Sequence, residues 1–167
     1  MEGGKAVIDD EVKAVVIVIL IASAAVSVYP ILEEGRVVEP FSELGVLGPN
    51  GKLGDYPRNL VVGQEFNLFL YVGNHEGVSE YYQVQVKLGD SAHNVSDTTP
   101  LDAPIATMYE TVLGDGSNTT IPVKMSISQP GTNVRLVFEL WRYDVNVHRF
   151  VYHQRWTQLW LNVTANR

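Results

Sequence analysis

The sequence predicts a mainly β chain, with one N-terminal membrane helix followed by an antiparallel sandwich of about seven strands. Three observations carry this. From Ala14 to Leu32 no residue is charged, which is close to the ~20 residues needed to cross a hydrocarbon core. After Leu32, apolar residues recur at every second position in several runs, with no sustained helical period. Clusters rich in Gly, Pro, Asn and Asp separate those runs.

The helix is centred on "KAVVIVILIASAAVSVYP", Lys13 to Pro30. Asp9, Asp10 and Glu11 suit its start, where capping oxygens and negative charge are favoured. Pro30 and Gly35 suit its end. A cleaved secretory signal is the competing reading, because Ala22-Ser23-Ala24 has the A-x-A form of a cleavage site. The acidic residues before the apolar run argue for retention. A buried core helix is a third reading, and the acidic stretch also disfavours a pilin-type leader. Lys5 and Lys13 precede the span and Arg36 follows it, a basic bias that places the N-terminus in the cytoplasm and the C-terminal domain outside. Ser23 and Ser27, with Ala22, Ala24 and Ala25, form a small-residue face of the kind that lets helices approach in lipid. The expected organisation is an anchor over residues 1–32, a linker over 33–40 and an extracellular domain over 41–167.

The strands follow in order. A first strand is expected within Val37 to Leu47. "EFNLFLYV" sets Phe66, Leu68, Leu70 and Val72 on one face. "YYQVQVKLG" sets Tyr82, Val84, Val86 and Leu88 against Gln83, Gln85 and Lys87. A weaker strand is expected over Ile105 to Val112. Ile121, Val123, Met125 and Ile127 then alternate, as do Val134, Leu136, Phe138 and Leu140, and finally Leu159, Leu161 and Val163. The turns include "GPNGKLGDYP", "GNHEGVS", "LGDGSN" and "QPGTN". Short strands at this spacing indicate a sandwich of immunoglobulin or fibronectin type.

The net charge of −7 and pI near 5.0 argue against nucleic acid as a partner. There are no cysteines, so the core forms without disulfides and thiolate metal sites are excluded. Asn94, Asn118 and Asn162 open N-x-S/T acceptors, which makes an N-linked glycan at each an expectation for an outward-facing domain. "NHEGVSE" holds Asn74, His75, Glu76 and Glu80, which suits a metal or acid–base site, or a fixed strand-connecting turn; the turn is favoured. His148 and His153 lack a nearby third ligand for zinc. Asp115, Ser117 and Asn118 offer few charges for calcium. No nucleophile-elbow, zincin, phosphate-loop or dinucleotide motif is present. The chain is therefore expected to be non-catalytic and to need no cofactor or metal. "WRYDVNVHRFVYHQRWTQLW" carries all three tryptophans with three arginines, the residues that interfaces enrich. Trp156 and Trp160 share the phase of Asn162 and are expected on the outer face.

The segment "FSELGVLGPNGKLGDYPRNLVVGQEFNLFLYVGNHEG", Phe41 to Gly77, resembles an uncharacterised archaeal family of membrane proteins. The resemblance lies in its Leu-Gly-Pro-x-Gly, Asp-Tyr-Pro, Val-Gly-Gln and Asn-His-Glu progression. It covers the first third of the domain well and implies an immunoglobulin-like extracytoplasmic domain. It supplies no activity and no catalytic residues.

The expected function is a membrane-anchored cell-surface subunit that binds a partner, another copy of itself, or the envelope. The anchor helix and the aromatic-rich strands are the expected contacts. An accessory single-pass subunit of a larger membrane enzyme or transport complex, and a carbohydrate-binding or adhesive module, are the alternatives. Counting strand directions places "NHEG" and "YDVNVHR" together at the membrane-proximal end. There Tyr143, Val145 and Val147 can meet headgroups or a neighbouring subunit. Asn162 is expected at the distal end, and Asn118 serves as a marker of that end.

Overall fold

A computed structural model describes residues 9–34 and 39–166; the side chains of residues 29–34 lie outside that description. The chain forms two compact units that divide between Glu39 and Pro40. The first contains α1 (Asp10–Glu34), the one described helix long and apolar enough to cross a membrane. Its first turn carries Asp10 and Glu11, and Lys13 bonds back to Asp10 at 2.8 Å. The helix runs through Pro30 and past the expected anchor boundary at Leu32 to Glu34. Proline lacks an N–H but its fixed φ is helical, so one lost bond need not end a helix. Residues 35–38 of the expected 33–40 linker, Gly35 among them, lie outside the described residues.

The second unit is the predicted β-sandwich, built from eight strands rather than about seven. One sheet has the order β1 (Phe41–Leu47), β3 (Phe66–His75), β6 (Asn118–Met125). The other has the order β2 (Asn59–Val61), β8 (Arg149–Thr164), β7 (Gly131–Asp144), β4 (Glu80–Gly89), β5 (Ile105–Leu113). Every pairing is antiparallel except β2 with β8, which is parallel. That three-residue strand has no alternation of its own to announce it. It forms because Leu60 is buried in the core while β8 offers a free edge.

The alternating sets meet between the sheets as their phase requires. Leu68, Leu70 and Val72 face Tyr82, Val84, Val86, Leu136, Phe138 and Leu140 in one apolar core, all fully buried. The outer face of the five-stranded sheet is also covered. Gln83, Gln85, Lys87, Val137 and Glu139 are all buried, because central strands β4 and β7 lie beneath other parts of the domain, Leu101 among them.

The motif glycines and turns are structural. A Cβ on Gly48 would lie 2.0 Å from the Gly54 carbonyl oxygen, so only glycine fits there. Gly51 has φ 69°, in the left-handed region that glycine favours. The Tyr56 hydroxyl donates to the Val46 carbonyl at 2.7 Å and ties this turn to β1.

Candidate functional site

The densest polar cluster lies between the two sheets at the pole where β1 begins. Phe41 there pairs with His75, and Gly73 with Asn118. Ser42 on β1 is buried, 3% exposed. Its hydroxyl lies 2.6 Å from Glu76 Oε1, 2.7 Å from the Tyr82 hydroxyl and 2.9 Å from His153 Nε2. His153 Nε2 also reaches Glu76 Oε1 at 3.0 Å. Arg142 Nη1 lies 3.7 Å from Glu76 and 3.4 Å from Glu80. Ser42 donates to Glu76, and the Tyr82 hydroxyl, beside Ser42, donates to Asn74 Oδ1 at 3.2 Å. Asn74 completes it from below, donating to the carbonyls of Val78 and Leu113 at 2.8 Å each. Its Oδ1 accepts from the Glu76 N–H at 3.0 Å. Among the described residues, no buried side-chain polar atom lacks a partner.

A serine, a histidine and a carboxylate in contact raise the question of nucleophilic catalysis. A working triad needs the histidine to bridge, with one ring nitrogen on the serine and the other on the carboxylate. Here both contacts fall on Nε2, and Ser42 reaches Glu76 directly. The arrangement satisfies a half-buried carboxylate and joins the two sheets. It does not prime Ser42 for attack.

The cluster makes stability pH-dependent. Burial pushes the His153 pKa down, outweighing the pull of Glu76, and the nearby Arg142 and Arg155 add to the depression. Burial alone would raise Glu76, but the bonds from Ser42 and His153 and the charge of Arg142 hold it below its ordinary value of 4.5. On acidification the unfolded chain takes up both protons before the folded domain does, which favours unfolding. The Tyr82 hydroxyl is pushed up to about 12, mainly by burial, so above its ordinary 10.0 the unfolded chain loses that proton first. Urea midpoints are expected to be highest between the ordinary histidine value of 6.5 and the ordinary tyrosine value of 10.0, and to fall on both sides. A midpoint unchanged between pH 7 and pH 5 would contradict this.

A second cluster sits on the outer face of the five-stranded sheet. Lys87 Nζ pairs with Glu139 Oε2 at 2.9 Å and donates to the Leu101 carbonyl at 2.9 Å. The other Glu139 oxygen accepts from the Leu101 N–H, and Trp141 Nε1 lies 3.2 Å from Oε2. Tyr152 donates to the Ser96 carbonyl at 2.8 Å, and Trp156 Nε1 to Asp97 at 3.3 Å. The 90–104 segment is thus fastened across the sheet by a buried ion pair and two aromatic donors. Beyond it, the Arg135 guanidinium lies 5.7 Å from the Trp156 ring and 5.4 Å from the Trp160 ring.

The expected site residues distribute as follows. Asn94, Asn118 and Asn162 are all exposed. Asn118 is not distal, because it pairs with Gly73 beside the NHEG turn, while Asn162 pairs with Asn59 at the far end of β8. Asn74 is not a turn residue but a buried member of β3, and within that turn the left-handed residue is Gly77. The NHEG turn and the β7–β8 turn do come together. Val78, Ser79 and Glu80 line one side of a cleft of about 300 Å³, with Arg142, Tyr143 and Asp144 on the other. Val145 stands exposed in its lining and Val147 stands exposed on the same turn, while Tyr143 is half-buried against Tyr81 and Phe150. Trp160 is 41% exposed, whereas Trp156 is half-buried rather than free. On α1, Ser23 and Ser27 return their hydroxyls to the carbonyls four residues back, at 2.7 and 2.8 Å.

The Ser42–Glu76–His153 cluster was missed because its members lie 34 to 111 positions apart. The one local signal is Gln154, with φ 58°. It lies in a bulge where the β7 step from Leu140 to Trp141 spans Arg155 to Tyr152 on β8. That irregularity lets His153 and Arg155 both reach Ser42.

The structure is similar to the CARDB domain of a Pyrococcus furiosus protein, solved in complex with di-metal ions. The identity is 13% and the TM-score 0.49, over 78% of this chain and 99% of that one. It is also similar to part of a β-glucosidase from Listeria innocua, at 12% identity and TM-score 0.46, over 75% of this chain and 16% of that one. A third likeness is to Escherichia coli α2-macroglobulin, at 13% identity and TM-score 0.44, over 76% of this chain and 17% of that one. No curated protein matches the chain. Residues 36–162 match the family described as domain of unknown function DUF1616, and the chain belongs to that family.

Proposed function

We propose that this family member is a non-catalytic, membrane-anchored cell-surface subunit whose sandwich domain contacts a partner at the membrane face. The apolar fringe at the Phe41 pole carries this reading. Val78, Val145 and Val147 are 58%, 68% and 50% exposed on neighbouring turns, at the pole where the domain's first strand begins. Six residues separate Glu34 from Phe41, a reach of about 20 Å at full extension. Valines on turn tips at the pole where the chain enters the domain from the span suit contact with headgroups or with a membrane-embedded neighbour. The basic bias before the span and the exposure of all three N-x-S/T asparagines support an outward-facing domain. The archaeal setting belongs to the same reading, and an accessory single-pass subunit of a larger membrane complex is its alternative.

N-terminal sequencing of the native protein tests it, with retention of α1 expected. A mature start at Ala25 would make the domain secreted and remove the anchor. Glycopeptides are expected at Asn94 and Asn118, with less occupancy at Asn162. There the side chain already bonds the Asn133 N–H at 3.1 Å and Asn59 at 3.3 Å.

One observation favours carbohydrate binding as a second reading. Trp160 borders a groove of about 320 Å³ with Tyr56, Pro57, Arg58 and Gln158. Glycan-array binding that disappears with Trp160→Ala would support it, and an array with no ligand would end it.

A further inference from the structure

Asn162 differs from the other two N-x-S/T acceptors in what precedes it. Trp160 stands two positions before it, where Asn94 has Ala92 and Asn118 has Gly116. Trp160, Asn162 and Thr164 are exposed, while Leu161 and Val163 between them are buried. On a strand this sets the indole and the acceptor amide side by side on one face, about 7 Å apart along the chain. The ring also borders the groove formed with Tyr56, Pro57 and Arg58. β7 and β2 flank β8 on opposite sides. The Arg135 guanidinium, from β7, lies over the indole at 5.4 Å from its centre, and the groove opens on the side of the residues that lead into β2. The Asn162 amide is already aimed. Its Oδ1 accepts from the Asn133 N–H at 3.1 Å, and its Nδ2 donates to Asn59 Oδ1 at 3.3 Å. These bonds engage the oxygen and one of the two Nδ2 hydrogens. The other hydrogen is the one an attached sugar replaces.

We propose that the Trp160 groove is filled by the chain's own carbohydrate, the first sugar of an N-linked glycan on Asn162 lying against the indole. Attachment exchanges one Nδ2–H bond for a bond from Nδ2 to the sugar C1. The C1–O bond of a lipid-phosphate-linked donor breaks, and the proton leaves with the displaced phosphate. A pyranose ring presents a face of C–H groups, and their positive edges meet the negative face of the indole. Its hydroxyls meet the Arg58 guanidinium and the Gln158 amide at the groove wall. The tether argues for this occupant. A sugar bonded to Asn162 is held beside the groove at a high effective concentration, which a free saccharide must supply from solution. The two bonds that lower occupancy at Asn162 also fix its amide plane wherever a sugar is attached. The inference goes beyond the carbohydrate-binding reading, which needs the groove vacant for a foreign sugar. It rests on the outward-facing reading, and the two fail separately.

The test is hydroxyl-radical oxidation of the folded, full-length chain in native membranes, followed by tryptic digestion and mass spectrometry. Trypsin cuts after Arg155, and no Lys or Arg follows before Arg167, so Trp156, Trp160 and Asn162 fall in one peptide. Partial occupancy supplies the glycosylated and the unmodified peptide from a single sample. A Thr164→Ala chain, which keeps Trp160 and Asn162 but loses the acceptor pattern, supplies the unmodified form in any case. The expected result is several-fold lower oxidation of Trp160 in the glycosylated peptide, with Trp156 oxidised equally in both. Equal oxidation of Trp160 in the two forms would overturn the proposal, and so would the absence of any glycan on this peptide. Glycans at Asn94 and Asn118 with none at Asn162 would end this inference and leave the outward-facing reading standing. No glycan at any of the three would count against both.

Discussion

Replacing Glu139 by alanine is expected to destabilise the domain by about 3–5 kcal/mol, the range for removing one partner of a buried ion pair. Glu139 is fully buried and Lys87 is 6% exposed. Without the carboxylate, the Lys87 ammonium remains beneath the 90–104 segment with only the Leu101 carbonyl and the Trp141 ring beside it, the ring centre 5.4 Å away. The Leu101 N–H and Trp141 Nε1 lose their acceptor in the same step. Denaturant titration checks this through the midpoint. The double replacement Lys87→Met with Glu139→Leu is expected to be milder than the single one, because it removes both charges and keeps the volume. A loss below about 1 kcal/mol for Glu139→Ala would show that the segment opens readily to water.

The second large effect is expected for Phe138→Ala, at about 3–5 kcal/mol. Phe138 has no exposed surface and pairs with Val86 on one side and Thr157 on the other. It lies mid-sheet within a core that has no disulfide to compensate. Both sheets frame the resulting cavity, which limits collapse around it. Thermal or urea unfolding measures the loss, and a cost below about 1 kcal/mol would mean that Phe138 does not face the core.

Residue alternation revealed the core faces. Leu136, Phe138 and Leu140 followed the two-residue period into the core, and Asn162, one step out of phase with its buried neighbours Leu161 and Val163, points outward. The period reports one face at a time, however. Lys87 and Glu139 occupy polar phases of their strands, and alternation alone reads them as solvent-facing. They are buried because a segment rich in Ser, Asp, Thr and Pro, which reads as an ordinary loop, lies across them and supplies hydrogen bonds. The Ser42–Glu76–His153 cluster was hidden for a related reason. It depends on the β8 bulge and on the two sheets meeting at one pole, and both are properties of the folded chain. "NHEG" was recognisable as a turn, but the work of Asn74 lies beneath that turn. The strand count brought the NHEG and β7–β8 turns together, as the structure has them. It failed for Asn118, because β6 begins at the same pole as the NHEG turn.

The proposed membrane-facing role of the Phe41 pole is tested most directly by site-specific capture with a lipid-tethered thiol probe, comparing single cysteines at Val145 and Asn133. Val145 lies in the β7–β8 turn, and Asn133 lies at the start of β7 at the other pole. Both are exposed, and the chain has no other cysteine to confuse the result. Efficient capture from Val145→Cys with little from Asn133→Cys is the expected result. Capture from Asn133→Cys alone, or equal weak capture from both, would contradict a pole held at the membrane.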